Sequence, residues 1–203
     1  MKSNFLEVIK KRRSYYELEN REIIGDNDII ELVKDAVRYT PTAHNSQLTR
    51  VLLLFGDDHS AFWDMVMDAI RESVDADTDL SSSQAKIAGL KNGRGTVLFY
   101  NDNAVTRQLA QEMPLYKAEF ERWGNHANAM LQFSVWNMLE EAGFGATLQH
   151  YNPIVDERAA KYFNISSDWE LIAQMPFGVA ADKLPPKEFI PIEKRVFVRG
   201  MNE

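Results

Sequence analysis

The sequence of 203 residues contains no cysteine. This absence excludes disulfide bonds, thiolate catalysis, iron–sulfur clusters and cysteine-ligated zinc sites. No run of 18 or more apolar residues occurs, so no segment has the length and composition of a membrane-spanning helix. The first residues also lack the long apolar stretch and the small-residue cleavage site of a signal peptide. We therefore expect a cytoplasmic protein without a membrane partner.

Positive charge is also scarce, because 30 acidic residues outnumber 23 lysines and arginines and give a net charge of −7. Nucleic-acid binding needs a basic face, so we expect no nucleic-acid partner. The four histidines lack zinc-binding spacing, which predicts no metal site, and His59 is expected in a turn beside two aspartates. Basic residues do cluster at 10–13 and 194–195, where they suit a small anion.

The hydrophobic pattern predicts a single domain, residues 1–203, in which helices and short strands mix without regular alternation. This mixture favours an α+β fold in which helices flank a sheet. Helices are expected at 3–13 with Ser3 as the N-cap, and at 26–39, 60–75, 82–90, 104–113, 125–141 and 156–163. Strands are expected at 50–55, 96–100, 145–150, 169–180 and 195–199.

Two of these helices carry information beyond their length. The helix at 125–141 is apolar over most of its circumference, which predicts burial in a core or in a subunit interface. The first helix places Phe5, Leu6 and Ile9 inward and one of the arginines Arg12 and Arg13 at the edge of the buried face. Those arginines either stabilise the C-terminal end of the helix or bind an anion such as phosphate.

The loop TPTAHNSQ, residues 40–47, is unusually polar for a connection between a helix and a strand. It contains a proline, three hydroxyl side chains, a histidine, an asparagine and a glutamine. One explanation is a turn with good capping chemistry. The other is a loop, stiffened by Pro41, that offers donors and acceptors to a flat polar ligand.

The predicted strand at 145–150, GATLQH, also departs from the pattern of a core strand. Gly143 and Gly145 permit the close approach of another backbone or of a ligand. Gln149 and His150 carry polar groups where a core strand would carry valine. An edge strand that faces water is the alternative explanation.

Taken in order over nearly the whole chain, these segments resemble the FMN-dependent nitroreductase family. The motifs that carry the resemblance are RRS at 12–14, TPTAHNSQ at 40–47, GFGATLQHYNP at 143–153, and Lys194-Arg195. The compact bacterial and fungal branch of that family has similar motifs. The resemblance implies an α+β fold with a central, mainly antiparallel sheet, and an intertwined homodimer that binds FMN non-covalently at its interface.

The resemblance also implies which residues bind FMN. Arg12 matches a phosphate ligand, Ser14 matches a phosphate or ribityl contact, and Arg13 supplies a further contact. Lys194 and Arg195 match a C-terminal basic pair, one of which reaches the phosphate. The loop that one subunit offers to the flavin of the other matches Pro41, Thr42, Ala43, Asn45 and Gln47. The segment beside the flavin ring and its N5 atom matches Leu148, Gln149 and His150.

One of these positions departs from the pattern of the larger family members, many of which carry a lysine near the flavin pyrimidine two residues after the serine. Here that residue is Tyr16, which affects the expected flavin potential but not flavin binding. Arg12 or Arg13 is therefore expected to stabilise the anionic reduced ring. The segment 113–123 resembles a short form of a substrate-covering insertion. It places Tyr116, Phe120 and Trp123 either in the acceptor pocket or in the core.

The activity implied by the resemblance is the reduction of nitroaromatics or quinones by NAD(P)H in ping-pong fashion, through N5 of the flavin. Solvent can supply the protons, and assistance from His44 or His150 remains open. The sequence does not decide between NADH and NADPH. Two alternatives also remain open: another flavin chemistry on the same fold, and a non-catalytic flavin-binding protein of stress response or regulation.

Overall fold

A computed structural model describes residues 5–181 and 183–200, so the proposed cap Ser3 lies outside the described residues. The α-helices are α1 (Phe5–Lys11), α2 (Asp26–Tyr39), α3 (Gly56–Glu72), α4 (Ser81–Lys91), α5 (Asn103–Glu112), α6 (Phe120–Glu141) and α7 (Asp156–Phe163). The strands are β1 (Leu18–Glu19), β2 (Thr49–Phe55), β3 (Gly95–Asp102), β4 (Gly145–Ala146) and β5 (Trp169–Ala180). Short 3-10 turns occur at Ala43–Asn45, Pro114–Tyr116 and Ile192–Lys194.

The sheet is antiparallel, with the strand order β1-β5-β3-β2 and with β4 paired to β5. Every residue of the central strand β3 is buried, whereas β2 forms an edge of the sheet. Helices pack on both faces, and the predicted α+β architecture with a mainly antiparallel sheet is confirmed.

The side chains of β3 alternate between two hydrophobic clusters, one on each face of the sheet. Leu98 joins the cluster under α3, α4 and α7, while Val97 and Phe99 join the cluster under α2 and α6. The first cluster includes Phe62, Trp63, Val66, Leu90, Val155 and Ala159. The second includes Ile29, Val33, Leu131, Val135 and Leu139. The long helix α6 is therefore a core helix on one side, and it also carries the surfaces that position the candidate site.

Several predicted elements differ from the structure. The strand at 145–150 is reduced to β4, followed by an isolated pairing of Gln149 with Gln174. Helix α6 begins at Phe120 rather than at residue 125, because the aromatic side chains at its start pack well enough to extend the helix through Gly124. The predicted strand at 195–199 is wrong for the described chain, since no strand lies beside it and an isolated strand is unstable.

The first helix also differs from its prediction. Phe5 and Leu6 are 60% and 54% exposed, so the expectation that they face the core is wrong for the single chain. The ring of Phe5 instead lies edge-on to Phe133 of α6, with ring centroids 6.3 Å apart. Phe133 is itself exposed, so α1 and α6 together present an apolar surface.

His59 does not lie in a surface turn, because α3 begins directly after β2 and carries this residue into the core. Its Nε2 lies 3.0 Å from the carbonyl oxygen of Lys91, which can only accept, so Nε2 carries the proton. Its Nδ1 then accepts from the Thr96 hydroxyl at 2.8 Å, and that hydroxyl accepts from Trp63 Nε1 at 2.9 Å. The network is complete only with a neutral imidazole.

We expect His59 to make stability depend on pH. Burial lowers the pKa of His59 in the folded protein, so the unfolded chain binds a proton first as the pH falls. The contribution of His59 to the free energy of unfolding is constant above about pH 6.5, the ordinary histidine pKa. Below that pH the free energy of unfolding declines by up to about 1.4 kcal/mol per pH unit. Urea unfolding between pH 7.5 and 5.5 should show a smaller decline in His59→Gln than in the unmodified protein. The exposed His126→Gln is the matched control, and an unchanged slope in His59→Gln would contradict the assignment.

Candidate functional site

The loop at 40–47 adopts a conformation that side chains other than glycine rarely take. His44, Asn45 and Gln47 have φ angles of +53°, +52° and +48°, in the left-handed region. The backbone N–H of Gln47 donates to the Thr42 hydroxyl at 3.0 Å. The Thr40 hydroxyl lies 3.0 Å from the Ser134 hydroxyl and ties the start of the loop to α6. These bonds hold the loop in a left-handed conformation that an ordinary capped turn does not require.

An aromatic cluster adjoins this loop. The imidazole of His44 lies 5.8 Å from the ring of Tyr116, 6.0 Å from that of Phe120 and 5.5 Å from that of Trp123, measured between centroids. Phe120 is 1% exposed, so it belongs to the core, as one reading of the sequence allowed. Tyr116 and Trp123 keep accessible surface and can form the wall of a pocket.

The basic segment lies directly after α1. The guanidinium of Arg12 stacks on the ring of Trp136 at 4.3 Å from its centroid. Burial lowers the pKa of Arg12, while the nearby Glu140 acts in the opposite direction, and an arginine remains cationic in such a setting. Arg13 Nη1 donates to the carbonyl oxygen of Pro185 at 3.0 Å. The hydroxyl of Ser14 bonds to no group within residues 5–181 and 183–200, and is thus available to a ligand.

The two segments singled out at 12–16 and 145–150 lie side by side. Ser14 pairs with Ala146, and the N–H of Tyr15 donates to the Ala146 carbonyl at 3.1 Å. A Cβ atom on Gly145 would lie 2.8 Å from the Tyr15 ring, so this glycine is needed for the approach of the 14–15 segment itself. The close approach predicted from the sequence is therefore one between two parts of the chain.

The residues after β4 alternate in their exposure. Gln149 is 5% exposed, and its amide nitrogen donates to the Thr147 hydroxyl at 3.1 Å. Leu148 is half-buried and His150 is exposed. The Gln149 side chain is thus occupied inside the protein, while its two neighbours retain accessible surface.

Lys86 of α4, which sequence reasoning missed, reaches the same region. Its Nζ lies 5.6 Å from the ring centroid of Tyr16 and 5.4 Å from that of Tyr151. Within the described part of the chain it forms no salt bridge, although it is half-buried. Gly89 allows α4 to pack closely against this segment, since a Cβ atom at this position would lie 2.4 Å from the Tyr16 carbonyl oxygen. No motif marks Lys86, since it lies 70 residues from Tyr16 in the sequence.

The C-terminal arm, residues 183–200, leaves the body of the chain at the contact between Arg13 and Pro185. Residues 187–200 are exposed throughout. Lys194 ends a short 3-10 turn, and Arg195 follows it. Neither side chain contacts the 12–16 segment in the described chain, so the structure does not bring the predicted C-terminal basic pair to Arg12.

The loop at 40–47 and the basic segment contact different faces of α6. Thr40 meets α6 at Ser134, while Arg12 meets it at Trp136. Two positions correspond to about 200° around a helix of 3.6 residues per turn. Within one chain the two predicted sets of ligand-binding residues are therefore separated by the helix.

A cavity of about 870 Å³ opens beside the loop, between α2 and β2. Its lining combines apolar side chains of those two elements with Thr42, Asn45 and Gln47 of the loop. Among the described residues, no cluster of three or more histidine or acidic side chains is arranged to bind a metal ion. Likewise, none of the described helices has the length and apolar character needed to cross a membrane.

The chain belongs to the nitroreductase family, whose model matches residues 9–179. It is 35% identical to the nitroreductase CinD from Lactococcus lactis, whose complex with 4-nitrophenol matches this fold with a TM-score of 0.87. That match covers 97% of this chain and 100% of CinD. The chain is also 32% identical to the nitroreductase FRM2 from Saccharomyces cerevisiae over 189 residues, covering 92% of this chain and 93% of FRM2.

A more distant nitroreductase from Desulfitobacterium hafniense, whose structure contains bound FMN, shares the fold at 14% identity with a TM-score of 0.69. The match covers 98% of this chain and 100% of that one. These comparisons confirm the resemblance and the nitroreductase fold. They also support oxidoreductase chemistry as the general class of function.

Proposed function

We propose that this protein is an FMN-dependent homodimeric enzyme that uses NAD(P)H to reduce nitroaromatics or quinones by a ping-pong route. The observation that carries the proposal is the placement of the loop at 40–47 and the basic segment on different faces of α6. Each group suits one end of a flavin nucleotide, and a second copy of the chain can bring both to one molecule. The exposed Phe5, Leu6 and Phe133 give such a dimer an apolar contact surface.

The donor set around the basic segment fits a phosphate. Arg12 and Arg13 offer charged forks, and Ser14 offers a hydroxyl that no described protein group uses. We assign all three to the FMN phosphate. We also assign Lys194 and Arg195 to this phosphate in the dimer, since both cations are exposed and form no ion pair in the described chain.

The polar loop and the 148–150 segment fit the flavin ring. We assign the loop, with Asn45 and Gln47 as its amide donors and acceptors, to the ring edge of the partner's FMN. The remaining loop residues in this assignment are Pro41, Thr42 and Ala43. Leu148 and His150 offer accessible surface beside the ring. We place Gln149 in the same segment, where its amide bonds to Thr147 and its backbone N–H and C=O pair with Gln174, so that it holds its two neighbours in place.

Lys86 is proposed as the cation at the pyrimidine edge of the ring. Many of the larger family members carry a lysine at the position of Tyr16, and here Lys86 Nζ lies 5.6 Å from the centroid of the Tyr16 ring. Arg12 and Arg13 are assigned above to the phosphate, so we assign to Lys86 the role at the ring that the sequence predicts for one of them. A preorganised cation at that edge stabilises the negative charge of the reduced ring.

FMN held by these residues would supply two-electron hydride chemistry at N5, taking reducing equivalents from NAD(P)H and passing them to the second substrate. The residues of the chain would bind the cofactor, orient the substrates and stabilise the reduced ring. Tyr116 and Trp123 form an aromatic wall against which a flat acceptor can stack. The solved complexes of the relative CinD contain 4-nitrophenol, chloramphenicol and nicotinic acid, which favours an aromatic acceptor here. Solvent, with His44 or His150 beside it, provides the protons.

Steady-state kinetics test this function. Under anaerobic conditions the protein with bound FMN should oxidise one equivalent of NADH or NADPH alone, and many equivalents only when 4-nitrophenol or a benzoquinone is present, at rates well above those of free FMN at equal concentration. Double-reciprocal plots at several acceptor concentrations should give parallel lines, as ping-pong chemistry requires. Bound FMN without turnover of either acceptor would overturn the catalytic proposal and favour a non-catalytic flavin protein.

A further inference from the structure

The left-handed loop needs support from outside itself. Three residues with φ near +50° within four positions are unfavourable for side chains other than glycine. Such a backbone persists only where surrounding contacts fix it. The bond from the Gln47 N–H to the Thr42 hydroxyl closes the loop internally but does not attach its end to the sheet.

Two contacts attach the end of the loop to the sheet: the backbone N–H of Asp102 donates to the Leu48 carbonyl oxygen at 2.9 Å, and Arg50, the second residue of β2, adds a side-chain attachment to Gln47 itself. Arg50 Nη1 donates to the carbonyl oxygen of Gln47 at 2.7 Å and to that of Thr49 at 3.1 Å. Its Nη2 donates to Asp102 Oδ2 at 2.9 Å. Asp102 is the last residue of β3, and its side chain is 12% exposed while that of Arg50 is 31% exposed, so the ion pair is partly buried. A guanidinium fork can hold a backbone carbonyl and a carboxylate together, which a single ammonium cannot do in the same geometry.

Asp102 extends the connection to the aromatic wall. Its second carboxylate oxygen, Oδ1, accepts from the backbone N–H of Ala104 at 3.0 Å and caps α5. Helix α5 leads into the Pro114–Tyr116 turn, which carries the Tyr116 ring beside His44. The Arg50–Asp102 pair therefore connects the loop, on one side of the candidate pocket, with α5, which leads to the aromatic residues on the other side.

We propose that Arg50 is a positioning residue that sets the conformation in which the loop presents Asn45 and Gln47 to the flavin, and that it acts through Asp102. This inference rests on the proposed function for its ligand, but its contacts lie within the chain. Arg50 is not itself a ligand in this proposal: its guanidinium is committed to Gln47, Thr49 and Asp102.

Replacement of Arg50 by methionine tests the proposal, with Arg71→Met as the matched control, because Arg71 pairs with Asp68 on the surface of α3. We expect Arg50→Met to weaken FMN binding about tenfold. We also expect the ratio of affinities for reduced and oxidised FMN to change about tenfold, seen as a shift of about 30 mV in the two-electron midpoint potential. Arg50→Lys keeps the charge but not the planar fork, so its FMN affinity and midpoint potential should lie between those of Arg50→Met and the unmodified protein.

Two further measurements keep the test decisive. Amide hydrogen exchange at residues 42–47 without FMN should be faster in Arg50→Met, and unchanged in Arg71→Met. Asp102→Asn keeps an oxygen for the α5 cap and should show the same effects as Arg50→Met. It therefore tests the proposal even if Arg50→Met folds poorly. An unchanged affinity, potential and exchange rate in both variants would overturn this inference while FMN binding by the unmodified protein stands. A failure of the unmodified protein to bind FMN, with faster exchange in Arg50→Met, would overturn the proposed function and the ligand role of the loop together.

Discussion

A chain that ends at Pro186 should be monomeric and should bind FMN about 100-fold more weakly than the full chain. The deleted part of the arm has no buried residue in the described chain, so its removal leaves the hydrophobic clusters intact. Its large apolar side chains, which include Phe189, Ile190 and Phe197, are 57–80% exposed and have the composition of an interface. We propose that these side chains contact the second copy of the chain.

The loss of affinity has two sources. Lys194 and Arg195 are removed, and each hydrogen bond from a charged group to the phosphate contributes about 1.5–3 kcal/mol. The partner's loop is lost together with the dimer. Sedimentation velocity and a fluorescence titration with FMN measure the two effects separately.

Two control variants separate the roles of the arm. A chain that ends at Gly200 should remain a dimer with full affinity for FMN. Replacing Lys194 and Arg195 by alanine should leave the dimer intact and weaken FMN binding alone. If the chain ending at Pro186 is still a dimer with unchanged affinity, both the intertwined dimer and the phosphate role of the arm are wrong.

Arg12→Ala should weaken FMN binding about 10- to 100-fold, which corresponds to the loss of charge-assisted hydrogen bonds to the phosphate. The alternative explanation, a cation that stabilises the end of α1, predicts a different result. In that case stability would fall by about 0.3–1 kcal/mol and the affinity of the folded protein would not change. Measuring the FMN dissociation constant and the urea midpoint on the same samples distinguishes the two.

The Arg12 experiment needs matched variants because the guanidinium also stacks on Trp136, a contact that stabilises the fold. Arg12→Lys keeps the charge but loses the planar fork, so its affinity should lie between those of Arg12→Ala and the unmodified protein. Arg71→Ala removes a surface arginine and should change neither quantity. Unchanged FMN affinity in a folded Arg12→Ala protein would remove Arg12 from the phosphate site.

Local sequence signals predicted elements whose own residues carry a clear hydrophobic pattern. Helix α2 has the predicted bounds because its apolar residues recur at helical spacing and Pro41 follows it. Strand β3 was found from its run of apolar residues. In contrast, β1 has only two residues and forms because β5 lies beside it. The predicted strand at 195–199 has the right composition, but a strand also requires a neighbouring strand.

In the candidate site, too, residues with distinctive chemistry were predicted and residues placed by long-range contacts were missed. Arg12, Ser14 and the 145–150 segment were singled out from residue chemistry, and the structure places the 12–16 and 145–150 segments side by side. Lys86 and Arg50 were missed because neither belongs to a recognisable motif. Their positions depend on α4 packing against Tyr16 and on β2 pairing with β3, which puts Arg50 within reach of Asp102. Such contacts between distant parts of the chain leave no local pattern.

The central claim is that the chain binds FMN and that NAD(P)H reduces it. The most direct test is the absorbance spectrum of the purified protein supplied with FMN and freed of excess, recorded under anaerobic conditions before and after addition of NADH or NADPH. We expect flavin bands that remain with the protein, bleach when one of the nucleotides is added, and return when a quinone follows. A colourless protein that retains no FMN, or a bound flavin that neither nucleotide bleaches, would contradict the account.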